Sequence, residues 1–437
     1  MRAGHILILD DDARCVQSLT MLLKEAGFEV LGTDDVSTAM TYLHSALPDI
    51  VLLELWLPEM DGIAILQAIK SRGADTAVIM ISGHGNIATA VHAMQLGAFD
   101  FLEKPLLPET VLHTVQRALH DGQSATPRHP LHVPRQNRMA VTSSIPQAAS
   151  RKPHAHVSPQ PQRTLRRSLV LRGQGLQSGY KTGLILSPMP SGSGIVFRDL
   201  VTGDLVPATV EHVASMAFCT SLHKGRVRVN TIEHLMSALH AFGLTNLLVT
   251  SSDEIPIMDG SAADFCRLID DAGIADQDAA AESYTVERCY HIGGNSLHTK
   301  FIRIDPYDGF RVTYRASYPA PIGTQEWTYE HRDSASYCGE VAPSRTFAFI
   351  KDVEALHAAG LVAGGRLNNV ILIGDANIVN TAPLRFANEW VRHKVLDIIG
   401  DLYLLGMPIR GHVRANMTGH TENIELVRQL RQALYSA

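Results

Sequence analysis

The sequence predicts a multidomain chain: an α/β unit with a doubly wound, parallel five-stranded sheet, then a linker, then an α+β unit. Three observations predict it. Residues 1–122 alternate apolar runs with amphipathic ones; residues 123–162 lack any period; from Arg163 onward a strand-then-helix theme appears twice. In the first stretch HILIL (5–9), FEVLGT (28–33), DIVLLEL (49–55), AVIMIS (77–82) and DFLEK (100–104) read as buried strands. CVQSLTMLLKEAG (15–27) and IATAVHAMQLG (87–97) read as helices between them. Strand–helix alternation with short links implies a parallel sheet whose binding site lies at the carboxyl ends of its strands. The second stretch holds seven prolines, the basic residues Arg128, Arg135, Arg138, Arg151 and Lys152, and no Asp or Glu. It reads as a disordered, weakly basic linker. The third stretch mixes short strands with helices at about 231–242, 349–359 and 388–405.

Composition narrows the function. A net charge of -6 argues against a general nucleic-acid-binding surface, and no helix-turn-helix or basic reading helix follows the linker. The five cysteines, Cys15, Cys219, Cys266, Cys289 and Cys338, form no CxxC pair, so neither a cysteine zinc knuckle nor a disulfide framework is expected. The N-terminus does not read as a signal peptide, and no apolar run approaches the ~20 residues that span a bilayer. The expected address is the cytoplasm, with peripheral membrane contact at most.

Asp10, Asp11 and Asp12 follow the first strand. Clustered carboxylates there suit a hard divalent cation such as Mg2+, although alone they would pass for a solvated strand end. Ser82 closes the fourth strand and Lys104 follows the fifth. With these in register, residues 4–121, and GHGNIATAVHAMQLGAFDFLEKP (83–105) above all, resemble response-regulator receivers of the nitrogen-regulation type. The resemblance implies that Asp10 and Asp11 are metal-site acids, Ser82 the switch hydroxyl and Lys104 the phosphate-contacting lysine. The family's phospho-accepting aspartate, four residues before the proline of PDIVLLELWLPEMDG, is Glu54 here. Its longer carboxylate reaches toward the phosphoryl position and toward Lys104. The expectation is a receiver not phosphorylated at this residue. A decayed module that folds or self-associates, a fixed active-like state and residual switching all stay open.

The chemistry of the third stretch centres on VNTIEHLMSALHAFGLTN (229–246). Thr231 is placed to cap a helix whose first turn carries Glu233 and His234, with apolar spacing at Ile232, Leu235, Leu239 and Phe242. A metal ligand beside a carboxylate sets a base next to a hydrolytic water. His240 falls on another face and reads as a core or surface histidine. NEWVRHKVLDIIGDL (388–402) supplies His393 and Asp397 at i and i+4, Lys394 beside them and Asp401 one turn on. Such a pair can grip one ion, but alone it is a weak signal. NMTGHTEN (416–423) is a polar loop with His420; EIPIMDGSAADF (254–265) is a tight acidic turn; SRTFAF (344–349) presents Thr346.

Taken in their order along the chain, 229–246, 254–265, 344–349, 388–402 and 416–423, the five segments resemble the UDP-3-O-acyl-N-acetylglucosamine deacetylases of lipid A biosynthesis, from about Arg163 past His420. The resemblance implies two similar α+β subdomains, 163–283 and 284–437, with helices packed between two sheets. It implies metal-dependent hydrolysis of the N-acetyl group of a UDP-linked, 3-O-acylated glucosamine. It assigns His234, His393 and Asp397 to Zn2+, with iron(II) suiting the same donors. Glu233 becomes the general base, His420 the oxyanion stabiliser and proton donor, Asp401 its orienting partner, Thr346 an oxyanion donor and Lys394 a substrate contact. Residues 347–374 match the part that forms a passage for the acyl chain. Two departures stand out. Gln177, in GLQSG, occupies a usual histidine position, and GGRLNN (364–369) lacks the usual serine and aspartate. The competing expectation is a catalytically silent regulatory or interaction protein that reuses both folds, with the receiver mediating self-association.

Overall fold

The computed structural model describes residues 4–121 and 155–436 except 59, 73–74, 84–86, 105, 216–217, 376 and 381. The chain falls into two compact units, divided between residues 150 and 151. The first runs β1 (His5–Leu9), α1 (Ala13–Glu25), β2 (Glu29–Thr33), α2 (Val36–Ser45), β3 (Ile50–Glu54), α3 (Gly62–Ser71), β4 (Ala77–Ser82), α4 (Ile87–Gln95), β5 (Asp100–Glu103) and α5 (Pro108–Asp121). Its strands pair in parallel in the order β2-β1-β3-β4-β5. The continuous apolar runs of β3 and β4 are fully buried because helices cover both sheet faces. Asp12, Asp35 and Asp61 cap α1, α2 and α3 by accepting backbone N–H bonds. One expectation is corrected. β2 is not a buried strand but a largely half-exposed one, because it pairs on one side only and forms the sheet edge.

The second unit begins with β6 (Ala155–Leu165), β7 (Leu169–Gln174), β8 (Lys181–Pro188), β9 (Ile195–Asp199), β10 (Leu205–Pro207), β11 (Val213–Ser215), β12 (Ser221–Lys224), β13 (Val227–Val229), α6 (Glu233–Ala241), β14 (Leu247–Ser251) and α7 (Ala263–Ala272). It continues through β15 (Ile274–Thr285), β16 (Tyr290–Gly293), β17 (Phe301–Asp305), β18 (Phe310–Ser317), β19 (Thr324–His331), α8 (Ser334–Glu340), β20 (Phe347–Phe349), α9 (Ile350–Ala358), β21 (Ile371–Ile373), α10 (Glu389–Leu402), β22 (Ile409–Asn416) and α11 (His420–Tyr435). A five-stranded sheet takes the order β10-β9-β14-β8-β7; a seven-stranded sheet is built on β16-β17-β22-β15-β6, with β18 paired to β22 and β19 to β18. One core gathers Leu184, Phe197 and Val249 from the first sheet, Leu235 and Leu239 from α6, Leu396 and Ile399 from α10, and Ile304, Val312 and Val413 from the second sheet.

The linker expectation, 123–162, is corrected at its end. Residues 123–154 lie outside the described residues, but 155–162 belong to β6, which pairs antiparallel with β15. Local composition hides this strand because its partner lies over a hundred residues away in sequence. Pro161 sits where the register of the pair shifts, and β6 lies at a sheet edge, where a missing N–H is tolerated. The subdomain boundary expected near residue 283 falls inside β15. β6 and β15 share a sheet with β22, so halves of sequence and sheets of structure do not coincide.

Helices α6 and α10 pack against each other and are almost wholly buried, polar residues included. Their crossing depends on Gly400: a Cβ there would lie 2.1 Å from the backbone oxygen of Glu233. Such burial makes every polar side chain on these helices costly unless it is paired or used. His240 is neither a ligand nor a surface group. It sits among Phe310, His331 and Tyr403, and burial, with His331 adding to it, pushes its pKa down to about 3. The unfolded chain therefore takes up this proton first. Stability from the neutral ring is complete above about pH 6.5 and is lost as pH falls toward about 3. His240→Leu is expected to remove about 1.4 kcal/mol per pH unit of that acid dependence. Urea unfolding at pH 7, 6 and 5 measures it; an unchanged slope would contradict the assignment.

Candidate active site

Helix α10 carries four titratable residues spaced by four: Glu389, His393, Asp397 and Asp401, all buried. At 3.6 residues per turn they form one stripe along the helix. The first member anchors the helix. Glu389 accepts from the Arg345 Nε at 2.9 Å, the Arg345 backbone N–H at 3.0 Å and the Arg385 backbone N–H at 2.7 Å.

The next two members meet α6. His234, His393 and Asp397 place one donor atom each within 4.8 Å of one another, the only such metal-competent set among the described residues. The Asp397 Oδ1 lies 3.5 Å from the His393 Nε2 and 3.9 Å from the His234 Nε2. The His393 Nδ1–H donates to the Ser344 carbonyl at 3.0 Å, which fixes the tautomer and leaves the Nε2 lone pair facing Asp397. Burial holds both imidazoles below the ordinary histidine range, His234 down to about 3. Burial works against ionised Asp397, but Lys394 and His393 outweigh it and hold the carboxyl well below its usual range. Two neutral imidazoles and a carboxylate, buried and converging on one point, fit a small divalent cation with three of the four donors that it prefers. The Lys394 Nζ bonds the other oxygen of Asp397, Oδ2, at 2.7 Å, so its first partner is this carboxylate.

The last member of the stripe turns to α11. His420, the first residue of that helix, shares its Nδ1–H with the Asp401 Oδ2 at 2.8 Å. Burial and the N-terminal end of a helix dipole both disfavour an imidazolium. Asp401, with Glu233 adding to it, overcomes them and raises His420 to about 9. The Glu233 Oε1 stands 4.0 Å from the His420 Nε2. Burial raises Glu233 to about 7, and the charge on His420 opposes the rise. A carboxylate near its titration point thus faces a protonated imidazole across the metal-competent set, the pairing of base and acid that hydrolysis at neutral pH requires. Thr346 is half-buried just before β20, and the ring of the next residue, Phe347, lies 6.3 Å from that of His393.

The structure adds residues that spacing did not reveal. The Thr220 backbone N–H donates to the Glu233 Oε2 at 3.0 Å, and its hydroxyl donates to the Asp401 Oδ1 at 2.5 Å. Asn423 donates to the Asp401 Oδ2 at 2.9 Å. Thr220 follows a short, irregular stretch with no period, so only the fold could bring it in. Thr231 does not cap α6: Ile232 is the cap position, and Thr231 takes a φ of 59° with its hydroxyl directed 3.2 Å to Glu254.

In the first unit the Lys104 Nζ lies 2.7 Å from both the Asp10 Oδ2 and the Glu54 Oε2. The Glu54 Oε1 accepts from the backbone of Leu55 at 3.0 Å and of Trp56 at 3.3 Å. Burial raises the Glu54 carboxyl above its usual value, against the pull of Lys104. Ser82 is buried at the end of β4. Asp11 is exposed, and Asp12 is taken up as the α1 cap. The ammonium thus bridges the two inner carboxylates.

Residues 162–432 match the family profile described as UDP-3-O-acyl N-acetylglycosamine deacetylase, and residues 6–116 match the response regulator receiver domain. The chain is 41% identical to the UDP-3-O-acyl-N-acetylglucosamine deacetylase of Hahella chejuensis over 274 residues, 62% of this chain and 90% of that one. It is 41% identical to that of Acidithiobacillus ferrooxidans over 275 residues, covering 62% and 89%. With that of Myxococcus xanthus it shares 40% identity over 273 residues, covering 62% and 86%.

Proposed function

Since the chain belongs to the UDP-3-O-acyl N-acetylglycosamine deacetylase family and carries an N-terminal receiver domain, we propose that it removes the N-acetyl group of UDP-3-O-acyl-N-acetylglucosamine in a Zn2+-dependent reaction with the α6–α10–α11 residues in defined roles. The observation that carries this reading is the convergence of Glu233, His234, His393, Asp397 and His420 from three helices on one buried spot.

His234, His393 and Asp397 would hold the ion, with iron(II) an alternative for the same donors. Bound there, it would supply a Lewis acid for the acetyl carbonyl and for water. Glu233 takes the proton as water adds to the carbonyl carbon. His420 enters the reaction as imidazolium, faces the developing oxyanion, and gives its proton to the nitrogen as the C–N bond breaks. The products are acetate and the free amine. Asp401, fixed by Thr220 and Asn423, holds His420 in position and charged. Thr346 is a further donor to the oxyanion. Lys394 spends one of its three N–H donors on Asp397 and offers the others to the substrate. Residues 347–374 wall the acyl chain. Among the described residues no helix is long and apolar enough to cross a membrane; we assign the enzyme to the cytoplasm, meeting the membrane at its surface at most.

Acetate release from the acylated UDP-sugar by the full chain tests the reading. Activity should track metal content, vanish on dialysis against a picolinate chelator and return with stoichiometric Zn2+. Stoichiometric Zn2+ without acetate release would instead favour a silent interaction protein.

For the receiver, Glu54 already provides a carboxylate that engages Lys104, and we infer that residue 54 accepts no phosphoryl group. Incubation with acetyl phosphate and Mg2+ should leave the intact mass unchanged. A hydroxylamine-labile gain of one phosphoryl group mapping to this residue would overturn the inference.

A further inference from the structure

The wall assigned to the acyl chain is poorly rooted along its length. Helix α9 buries only Val353, so its position depends on its two ends. At the front, β20 pairs in parallel with β21, and Phe347 packs near His393. At the rear, residues 362–366 are tied to the turn at 174–179. The Ala363 N–H donates to the Gln177 carbonyl at 3.1 Å and the Gly364 N–H to the Leu176 carbonyl at 3.0 Å. The Arg366 Nε donates to the Gln174 side chain at 3.2 Å. The backbones nearly touch: a Cβ on Gly364 would lie 1.9 Å from the Gly175 oxygen.

One side-chain bond in this seam stands apart. The Gln177 Oε1 accepts from the Val362 N–H at 3.2 Å. Val362 has a φ of 53°, a left-handed conformation that costs a β-branched residue roughly 1–3 kcal/mol and persists only when the surroundings impose it. Gln177 is itself buried and held from behind. Its backbone N–H donates to the Glu254 Oε1 at 2.7 Å, Ser178 donates to the Oε2, and the Thr231 hydroxyl reaches the same carboxylate. Thr231 stands two residues before Glu233. A continuous set of hydrogen bonds therefore runs from the start of the α6 active-site turn, through Glu254 and Gln177, to the strained residue four positions beyond the end of α9.

We propose that Gln177 is a positioning residue: its side-chain carbonyl pins the Val362 turn and so sets how the α9 wall meets the acyl chain of the substrate. The proposal rests on the deacetylase reading for its substrate, but the pin is a property of the fold. Loss of the pin loosens the binding of the acyl chain and leaves the reacting groups, which sit on α6, α10 and α11, where they are.

The test uses the full-length Zn2+-loaded protein with Gln177→Met, a near-isostere without the acceptor, and Gln177→Asn, whose amide is one methylene too short. Both are expected to raise KM for the 3-O-acylated UDP-sugar about tenfold, the order set by one hydrogen bond to a buried partner, with kcat within about twofold of the parent. Amide exchange of the 359–365 peptide should quicken about tenfold in the same variants. Unchanged KM and unchanged exchange in Gln177→Met overturn the proposal, as does a fall in kcat at constant KM. If the parent releases no acetate, the deacetylase reading fails, and exchange at Val362 alone decides whether Gln177 is the pin.

Discussion

Glu233→Ala is expected to lower acetate release by about 10²–10⁴-fold while leaving bound Zn2+ at the parental level. Both halves follow from the geometry. Glu233 contributes no atom to the His234–His393–Asp397 set, so removing its carboxylate leaves three ligands intact. Yet in the proposed reaction it is the base that takes the proton from water, and it is buried near its titration point beside His420. Glu233→Gln separates charge from shape, because its amide oxygen can still accept from the Thr220 N–H that now bonds the carboxylate at 3.0 Å. An equal loss in both variants would assign the effect to proton transfer. Turnover within about tenfold of the parent in Glu233→Ala would remove this residue as the base. Loss of Zn2+ in parallel would mean that the α6 turn had collapsed and the comparison measured folding.

Arg345→Met should destabilise the catalytic unit by about 3–5 kcal/mol, because it strands a buried carboxylate. Glu389 is fully buried and Arg345 is 6% exposed along its side chain; the pair meets through both guanidinium and backbone donors. The thioether of methionine fills the space but answers none of the charge. The double variant Arg345→Met/Glu389→Leu removes both charges and is expected to recover most of the loss, since a buried pair replaced by apolar groups of similar size is often neutral. Urea unfolding of the four proteins forms the cycle. A single variant within about 1 kcal/mol of the parent would show that water or another cation reaches Glu389. The variant should also weaken Zn2+ binding, because Ser344, next to Arg345, supplies the carbonyl that orients His393.

How much of this was legible in the sequence depends on how local each signal is. The four-residue spacing of His393, Asp397 and Asp401 is written in α10 and needs only helical geometry to become a stripe; Glu389 joins it only once the fold brings Arg345 to it. The adjacent Glu233 and His234 are legible for the same reason. Thr220 is not, because its backbone N–H meets Glu233 only after β12 and α6 have packed. Residues 155–162 of β6 read as linker because their prolines suggest disorder, while the β15 strand that orders them lies far along the chain. β2 looked like a buried strand because an apolar run reports strand propensity and not which strand ends the sheet. Asp10, Asp11 and Asp12 look equivalent in sequence, yet β1 turns only Asp10 inward, to Lys104.

The stripe on α10 also makes the centre unforgiving in one particular way. An anchor, the two residues proposed as ligands and the partner of the proposed proton donor follow one another at four-residue steps along one helix. Inserting or deleting one residue between Glu389 and His393, inside the helix, would turn His393, Asp397 and Asp401 together by about 100° against Glu389 and the frame it is anchored to. The three would leave their places at once, and a compensating change elsewhere could restore none of them singly. Length changes in this protein should therefore be tolerated in the exposed segment that precedes α10 and be ruinous within the helix itself.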